Sequence, residues 1–316
     1  MRQASHRLPR PLRRLCLLLT AEHASQVVVP PKRILSLTRY GSIRPRYCIS
    51  LGNYRQWQRL LDMNNPALPP RCRLPIVGFF ALVIGISHTQ AQTLAEVIAH
   101  NTEAMGGEQA IEAVQSVSVS LHIVDPDFAV DGVYRAARPG KMRIDINADG
   151  KNVYTEAYDG KRGWQRKGEG QPIVDESEKA TATLRHGVEL PGHLFGLHEM
   201  SERGHKLELV GREKIDGTEY YALRLTLADG YTTSLYVDPQ SWLITRRRDE
   251  RPLHVDIDPT PTTIEQRMSD FRKVNGITFS FANTETDLKT GKLLETTSIR
   301  DITVNPPIDP SAFEKL

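Results

Sequence analysis

The chain has 316 residues and a formal net charge of +3, but the charge is unevenly placed: residues 1–62 carry 11 Arg and 1 Lys against Glu22 and Asp62, and the stretch from Gln92 onward sums to −9. An acidic balance over residues 92–316 argues against a nucleic-acid partner, because phosphate binding needs clustered Lys and Arg. Cys16, Cys48 and Cys72 all precede Gln92, so the same stretch has no disulfide to form and no thiol chemistry to offer.

Residues 1–62 show no sustained period of 2 or 3.6. They read as an over-extended, disordered N-terminus; a basic nucleic-acid arm and an Arg-rich transit peptide are the alternatives. Arg71 and Arg73 then precede an apolar run of 13 residues over 74–86, and Thr89 and Ala91 are small residues at −3 and −1 of a cut before Gln92. A basic n-region, a short apolar h-region and a small-residue cleavage site read as a signal peptide over 63–91, with Met63 as its start. The run falls short of the roughly 18 residues that a membrane span needs. Position 92 is Gln and not Cys, so no lipid anchor is expected there. The expectation is a soluble periplasmic protein with one domain over 92–316.

Leu94, Val97, Ile98, Asn101 and Met105 fall at helical spacing and predict a helix over 93–105, ended by Gly106-Gly107. A second short helix is expected over 108–114. The period then changes to two. Val117, Val119, Leu121 and Ile123 alternate with polar residues, as do Met142, Ile144 and Ile146, then Tyr221, Leu223, Leu225 and Leu227. Thr233, Leu235 and Val237 follow, and later Ile277, Phe279 and Phe281. Turn signals such as Asp149-Gly150, Asp216-Gly217, Asp229-Gly230 and Asn275-Gly276 separate these runs. Ten or so strands with short connections imply an antiparallel meander. One stretch breaks the rhythm: Ala180, Leu184, Val188, Leu190, Leu194, Phe195 and Leu197 have helical spacing, interrupted by Pro191-Gly192. It predicts a helix at about 177–188 and a shorter one at about 193–203. Residues 250–262 read as a Pro- and Asp-containing loop or flap. The fold class is therefore α+β: one strongly curved antiparallel sheet, an unclosed β-barrel, with helices packed on its concave face.

Three fragments carry a family resemblance. They are Arg138-Pro139-Gly140-Lys141-Met142-Arg143, a turn into a strand; Asp159-Gly160-Lys161-Arg162-Gly163-Trp164, a hairpin turn followed by an aromatic; and the tail Val304-Asn305, Ile308-Asp309-Pro310 and Phe313. With the opening helix and Gly106-Gly107, their order resembles the LolA-like periplasmic proteins, often called outer-membrane lipoprotein-sorting proteins. The resemblance covers most of residues 93–316 and points to a divergent branch, longer around 165–205 and 250–265. It implies a half-barrel with a helical lid over an apolar cavity. It also implies a role in carrying or binding a lipid, a lipoprotein or another amphipathic ligand, with a membrane-associated delivery partner. Such a protein works as a monomer, with no cofactor and no covalent chemistry. The same half-barrel binding a protein partner, as an envelope sensor or adaptor, is the alternative.

The residues themselves offer a few candidates. Arg138, Lys141 and Arg143 could hold an anionic head group, against the plainer reading of a solvated turn. Trp164 could line the cavity, though such an aromatic more often packs a hairpin. Leu223 and Leu225 are candidate cavity wall. His186, His193, His198 and His205 match no standard zinc spacing. His254, Asp256 and Asp258 would share one face of a strand and could bind a cation, though a solvated loop is the simpler account. Arg246-Arg247-Arg248 followed by Asp249-Glu250-Arg251 mixes signs and reads as a solvated face. Met142, Met200 and Met268 read as core filler. No Gly-x-Ser-x-Gly elbow and no phosphate-cradling glycine loop is present, so no enzyme is expected.

Overall fold

The computed structural model describes residues 92–252, 255 and 259–315. The segments read as an extended N-terminus and a signal peptide, and the candidate cation ligands His254, Asp256 and Asp258, lie outside the described residues.

The domain opens with helix α1 (Leu94–Met105). Thr93 starts it with a capping box: its hydroxyl accepts from the Glu96 N–H at 3.3 Å, and the Glu96 carboxylate accepts from the Thr93 N–H at 2.7 Å. Gly106 ends it at φ +131°, and a Cβ there would lie 2.4 Å from the Gly276 carbonyl oxygen. Only glycine fits where the chain both turns left-handed and touches another backbone. A short helix α2 (Glu108–Glu112) follows.

Among the described residues are thirteen strands: β1 (Ser116–Asp125), β2 (Phe128–Ala137), β3 (Lys141–Ala148), β4 (Lys151–Tyr158), β5 (Gly163–Arg166), β6 (Ile173–Asp175), β7 (Lys206–Ile215), β8 (Thr218–Thr226), β9 (Thr232–Val237), β10 (Ile244–Arg251), β11 (Thr262–Val274), β12 (Ile277–Asp287) and β13 (Leu293–Val304). They form one antiparallel sheet in the order β6-β5-β4-β3-β2-β1-β13-β12-β11-β10-β9-β8-β7. The sheet does not close, so the fold is the expected unclosed half-barrel of class α+β. The strand count exceeds the expectation mainly because β5 and β6 are too short to show a period.

Two meanders, β1–β6 and β7–β13, join in the middle through β1 and β13, where Val119 faces Ile302 and Leu121 faces Ile299. Strands β6 and β7 are consecutive in sequence yet stand at opposite edges. The connection between them must cross the sheet. It holds helix α3 (Glu178–Glu189) and a single 3₁₀ turn (Leu197–Glu199). The helix expected at about 193–203 is reduced to that turn. The carbonyls around it are engaged elsewhere: Phe195 accepts from the Gly192 N–H at 2.9 Å and Leu194 from Arg138 at 2.6 Å.

The core lies between this crossing segment and one face of the sheet. Leu184, Val188, Leu190, Leu194, Phe195, Leu197 and Met200 from the crossing segment meet Val117, Val119, Met142, Leu223, Leu225, Leu235, Phe279 and Ile299 from the strands. The opposite face carries a second, smaller cluster of Ile215, Tyr220, Ala222 and Tyr236. Arginines roof it, with Arg246 over the Tyr220 ring at 5.4 Å and Arg248 over Tyr236 at 4.9 Å.

The charged run from Arg246 is not the solvated face that its mixed signs suggest. Strand alternation sends Arg246 and Arg248 to the outer face, where both bond Glu265, itself 1 % exposed, at 2.9 and 2.8 Å. Arg247 and Asp249 go to the inner face, and Asp249 is also buried. Arg246 and Arg248 find their partner on β11 and Arg251 finds Glu285 on β12, pairings that the linear sequence does not display.

Candidate functional site: a cavity under the crossing segment

Helix α3 is placed by its ends. The Ser177 hydroxyl accepts from the Ala180 N–H at 3.1 Å and starts it. Near its C-terminus Arg185 and His186 both bond Asp229 in the β8–β9 turn, the latter at 2.7 Å, and the His186 ring stacks on Tyr231 at 4.1 Å. The helix lies over β3, β4 and β5. Gly163 on β5 allows the approach, since a Cβ there would sit 3.0–3.1 Å from Thr181, Glu176 and Leu184.

Beyond α3, Arg138 fixes the rest of the segment. Its Nε donates to the Val114 carbonyl at 2.7 Å, and Nη2 donates to the carbonyls of Leu194 at 2.6 Å and Ile111 at 3.3 Å. Nη1 donates to Glu199 at 2.5 Å. Arg138 and Arg203 also lie against the Phe195 ring, at 4.6 and 3.5 Å. Helix α1 meets the 3₁₀ turn as well, through a 3.3 Å contact between the Thr102 hydroxyl and His198 Nδ1. It is also docked on the β9–β10 turn, where Asn101 donates to the Trp242 carbonyl at 2.7 Å and His100 stacks on the Trp242 ring at 4.3 Å.

Between segment and sheet the side chains do not meet everywhere. They leave a cavity of about 450 Å³. Its walls are mainly apolar: Val119, Leu121, Met142, Phe279 and Ile299 from the sheet, and Leu184, Val188, Leu190, Phe195 and Leu197 from above. This volume lies in the range of small-molecule sites, about 300–1,000 Å³.

A few polar groups interrupt the apolar wall. Glu156 comes from β4, between Tyr154 and Tyr158 on the same face. Burial pushes its carboxyl above the usual carboxylate range; the Tyr154 hydroxyl, donating at 3.1 Å, acts against this. His193 comes from above, 5.5 Å from the Tyr134 ring and 6.1 Å from Phe279, and burial pushes it down to about 4. It is therefore neutral at pH 7. Burial raises the Tyr134 hydroxyl in the same way. Arg247, Gln266 and Asn283, on β10, β11 and β12, also line the cavity.

The six residues singled out in the sequence occupy other places. None of them is among the residues that line the cavity. Arg138 holds the crossing segment, as described. Arg143 bonds Asp145 at 2.8–3.2 Å and the Ala312 carbonyl at 2.9 Å. Trp164 is buried, and its indole N–H donates to the Phe313 carbonyl at 2.9 Å. Arg143 lies 5.7 Å from the Trp164 ring, so these two are brought together at the C-terminal 3₁₀ turn (Pro310–Phe313). Lys141 begins β3 and is partly exposed. Leu223 and Leu225 are fully buried in the core. Of the cavity's polar residues, His193 and Arg247 stand in the sequence within a set of histidines and a charged run, and Glu156, Gln266 and Asn283 belong to no motif; strand parity is the signal that places Glu156 within Tyr154-x-Glu156-x-Tyr158 and separates Arg247 from its neighbours.

No protein-family model matches this sequence, and no curated protein does. The chain is similar to several solved structures. A LolA superfamily protein from Nitrosomonas europaea shares 15% identity over 71% of this chain and 99% of its own, with a TM-score of 0.46. A DUF1329 family protein from Desulfovibrio piger shares 12% over 70% and 96%, with a TM-score of 0.48. A putative outer membrane lipoprotein-sorting protein domain from Vibrio parahaemolyticus shares 9% over 69% and 94%, also at 0.48. Similarity at this level concerns the course of the chain and not its chemistry.

Proposed function

We propose that this chain is a non-enzymatic periplasmic binding or carrier protein that shields the acyl chain of a lipid, lipoprotein or other amphipathic ligand. The observation that carries this reading is the cavity of about 450 Å³ under α3, apolar along most of its wall and left unfilled by side chains. An acyl chain gains roughly 0.8 kcal/mol for each CH₂ removed from water, so it does not cross an aqueous space uncovered. A cavity between a rigid sheet and a separate roof suits both capture and release, because only the roof has to move. Export is supported by the basic, apolar and small-residue pattern over 71–91. In this reading the protein acts as a monomer and hands its cargo to a membrane-associated partner.

The test is mass spectrometry of lipids extracted from the protein purified out of the periplasm, together with uptake of an apolar fluorescent dye. Stoichiometric lipid, or dye binding that added lipid reverses, is expected. Absence of both overturns the reading. A protein recovered in place of lipid turns it toward the adaptor function.

A further inference from the structure

The inner face of the sheet carries a diagonal row of polar donors at the cavity. Arg247 faces Gln266 across β10 and β11; Gln266 faces Glu285 on β12, and Asn283 lies two residues before Glu285, opposite Met268. All three line the cavity. Among the described residues, Arg247 makes one hydrogen bond, from Nε to Asp249 at 3.0 Å, and its two Nη groups make none. The Gln266 amide bonds to no described residue. Asn283 accepts from the Ser280 hydroxyl at 3.0 Å through Oδ1, and its NH₂ has no acceptor there. Three donor groups thus stand along one stretch of wall without acceptors among the described residues.

The carboxylates nearby already have donors. Asp249 accepts from the Thr233 hydroxyl at 3.1 Å, from Arg247, and from Arg251 at 3.4 Å. Glu285 takes both its bonds from Arg251, at 2.8 and 2.9 Å. Glu295 accepts from the Thr297 hydroxyl at 2.7 Å, and burial pushes that carboxyl up, with Glu285 adding to the shift. The cavity's own acid, Glu156, is on β4, far along the strand order, and burial favours its neutral form. By holding Nε, Asp249 also fixes the guanidinium plane, which orients the remaining donors.

We propose that Arg247, supported by Gln266 and Asn283, anchors an oxyanion head group, a carboxylate or a phosphate, of the amphipathic ligand. This rests on the carrier reading above and deepens it: the apolar wall takes the chain, and the Arg247 row takes the charge. Asp249 is a positioning residue for Arg247.

The experiment displaces an apolar naphthylamine dye from the full chain at pH 8 with dodecanol, dodecanoate and dodecyl phosphate, which share one chain and differ in their heads. At least one anion is expected to displace the dye at a concentration about tenfold below dodecanol, the worth of a charge-assisted hydrogen bond. The preferred anion tells a carboxylate source from a phosphate source. Arg247→Gln is expected to abolish the preference. Because that change disturbs Asp249, Gln266→Met serves as a second variant: it breaks no hydrogen bond of the described structure and should cost the anion about threefold. Equal displacement by all three heads in the unaltered protein overturns the proposal while leaving the carrier reading intact. So does an anion preference that survives both substitutions. If neither dye nor dodecanol binds, the carrier reading fails and the anchor with it.

Discussion

Arg138 shows how much one side chain can hold. It joins the end of β2 to α2, to the crossing segment and to Glu199, a carboxylate only 8 % exposed. Burial alone would raise the Glu199 carboxyl; bonds from Arg138 and from the Gly196 N–H overcome this and hold it below its ordinary value. Truncating one partner of a buried pair leaves the other uncompensated. Arg138→Ala should therefore lower the unfolding free energy by about 3–5 kcal/mol, read by urea denaturation. Arg138→Lys should recover little, because an ammonium cannot serve the same acceptors in one plane. A turn arginine before Pro139 is visible in the sequence. Its partners lie 24 to 61 residues away in the chain, and no local pattern names them.

Helix α3 is the element on which capture and release depend. Leu184 and Val188 give it an apolar stripe, and spacing alone located it within a residue of its observed bounds. What ties its end down is polar. Burial would raise the Asp229 carboxyl, but hydrogen bonds from His186, from the Tyr231 N–H and from Arg185 hold it at about 2. A carboxylate whose folded pKa lies below its unfolded one contributes stability above the unfolded value, about 3.9, and loses it as pH falls through about 2. Fraying of α3, followed by amide hydrogen exchange, should thus be nearly constant from pH 7 to 5 and increase below about 4. Asp229→Asn should give the frayed behaviour at neutral pH, with a cost of up to about 1 kcal/mol. An α3 equally protected in both proteins would contradict this.

At the scale of the whole molecule, the cavity exists because a rigid sheet is roofed by a segment that must span it from edge to edge. Filling the space should remove binding without harming the fold. Gly187 lines the cavity from α3, and a Cβ there meets nothing within 4 Å. Gly187→Leu is expected to raise helix stability by about 1 kcal/mol, as glycine is the poorer helix former, and to weaken dye binding at least about tenfold. Unchanged dye binding would place the ligand elsewhere.

Periodicity in the sequence was enough for many of the strands, for α1 and α3 and for the class of the fold, because period-two and helical spacings record which face of an element is apolar, and turn residues record where the chain reverses. The sequence also showed that residues 92–316 are acidic and free of cysteine. Which polar residues share a space depends on pairings that no local pattern records. Strand parity divides Arg246-Arg247-Arg248 between two faces, and pairing β1 with β13 sends the segment from β6 to β7 across the sheet. Those are long-range pairings, decided by which faces are buried against each other. Arg143 and Trp164 therefore meet at the C-terminal turn, while Glu156, His193 and Arg247, dispersed over about ninety residues of chain, line one cavity.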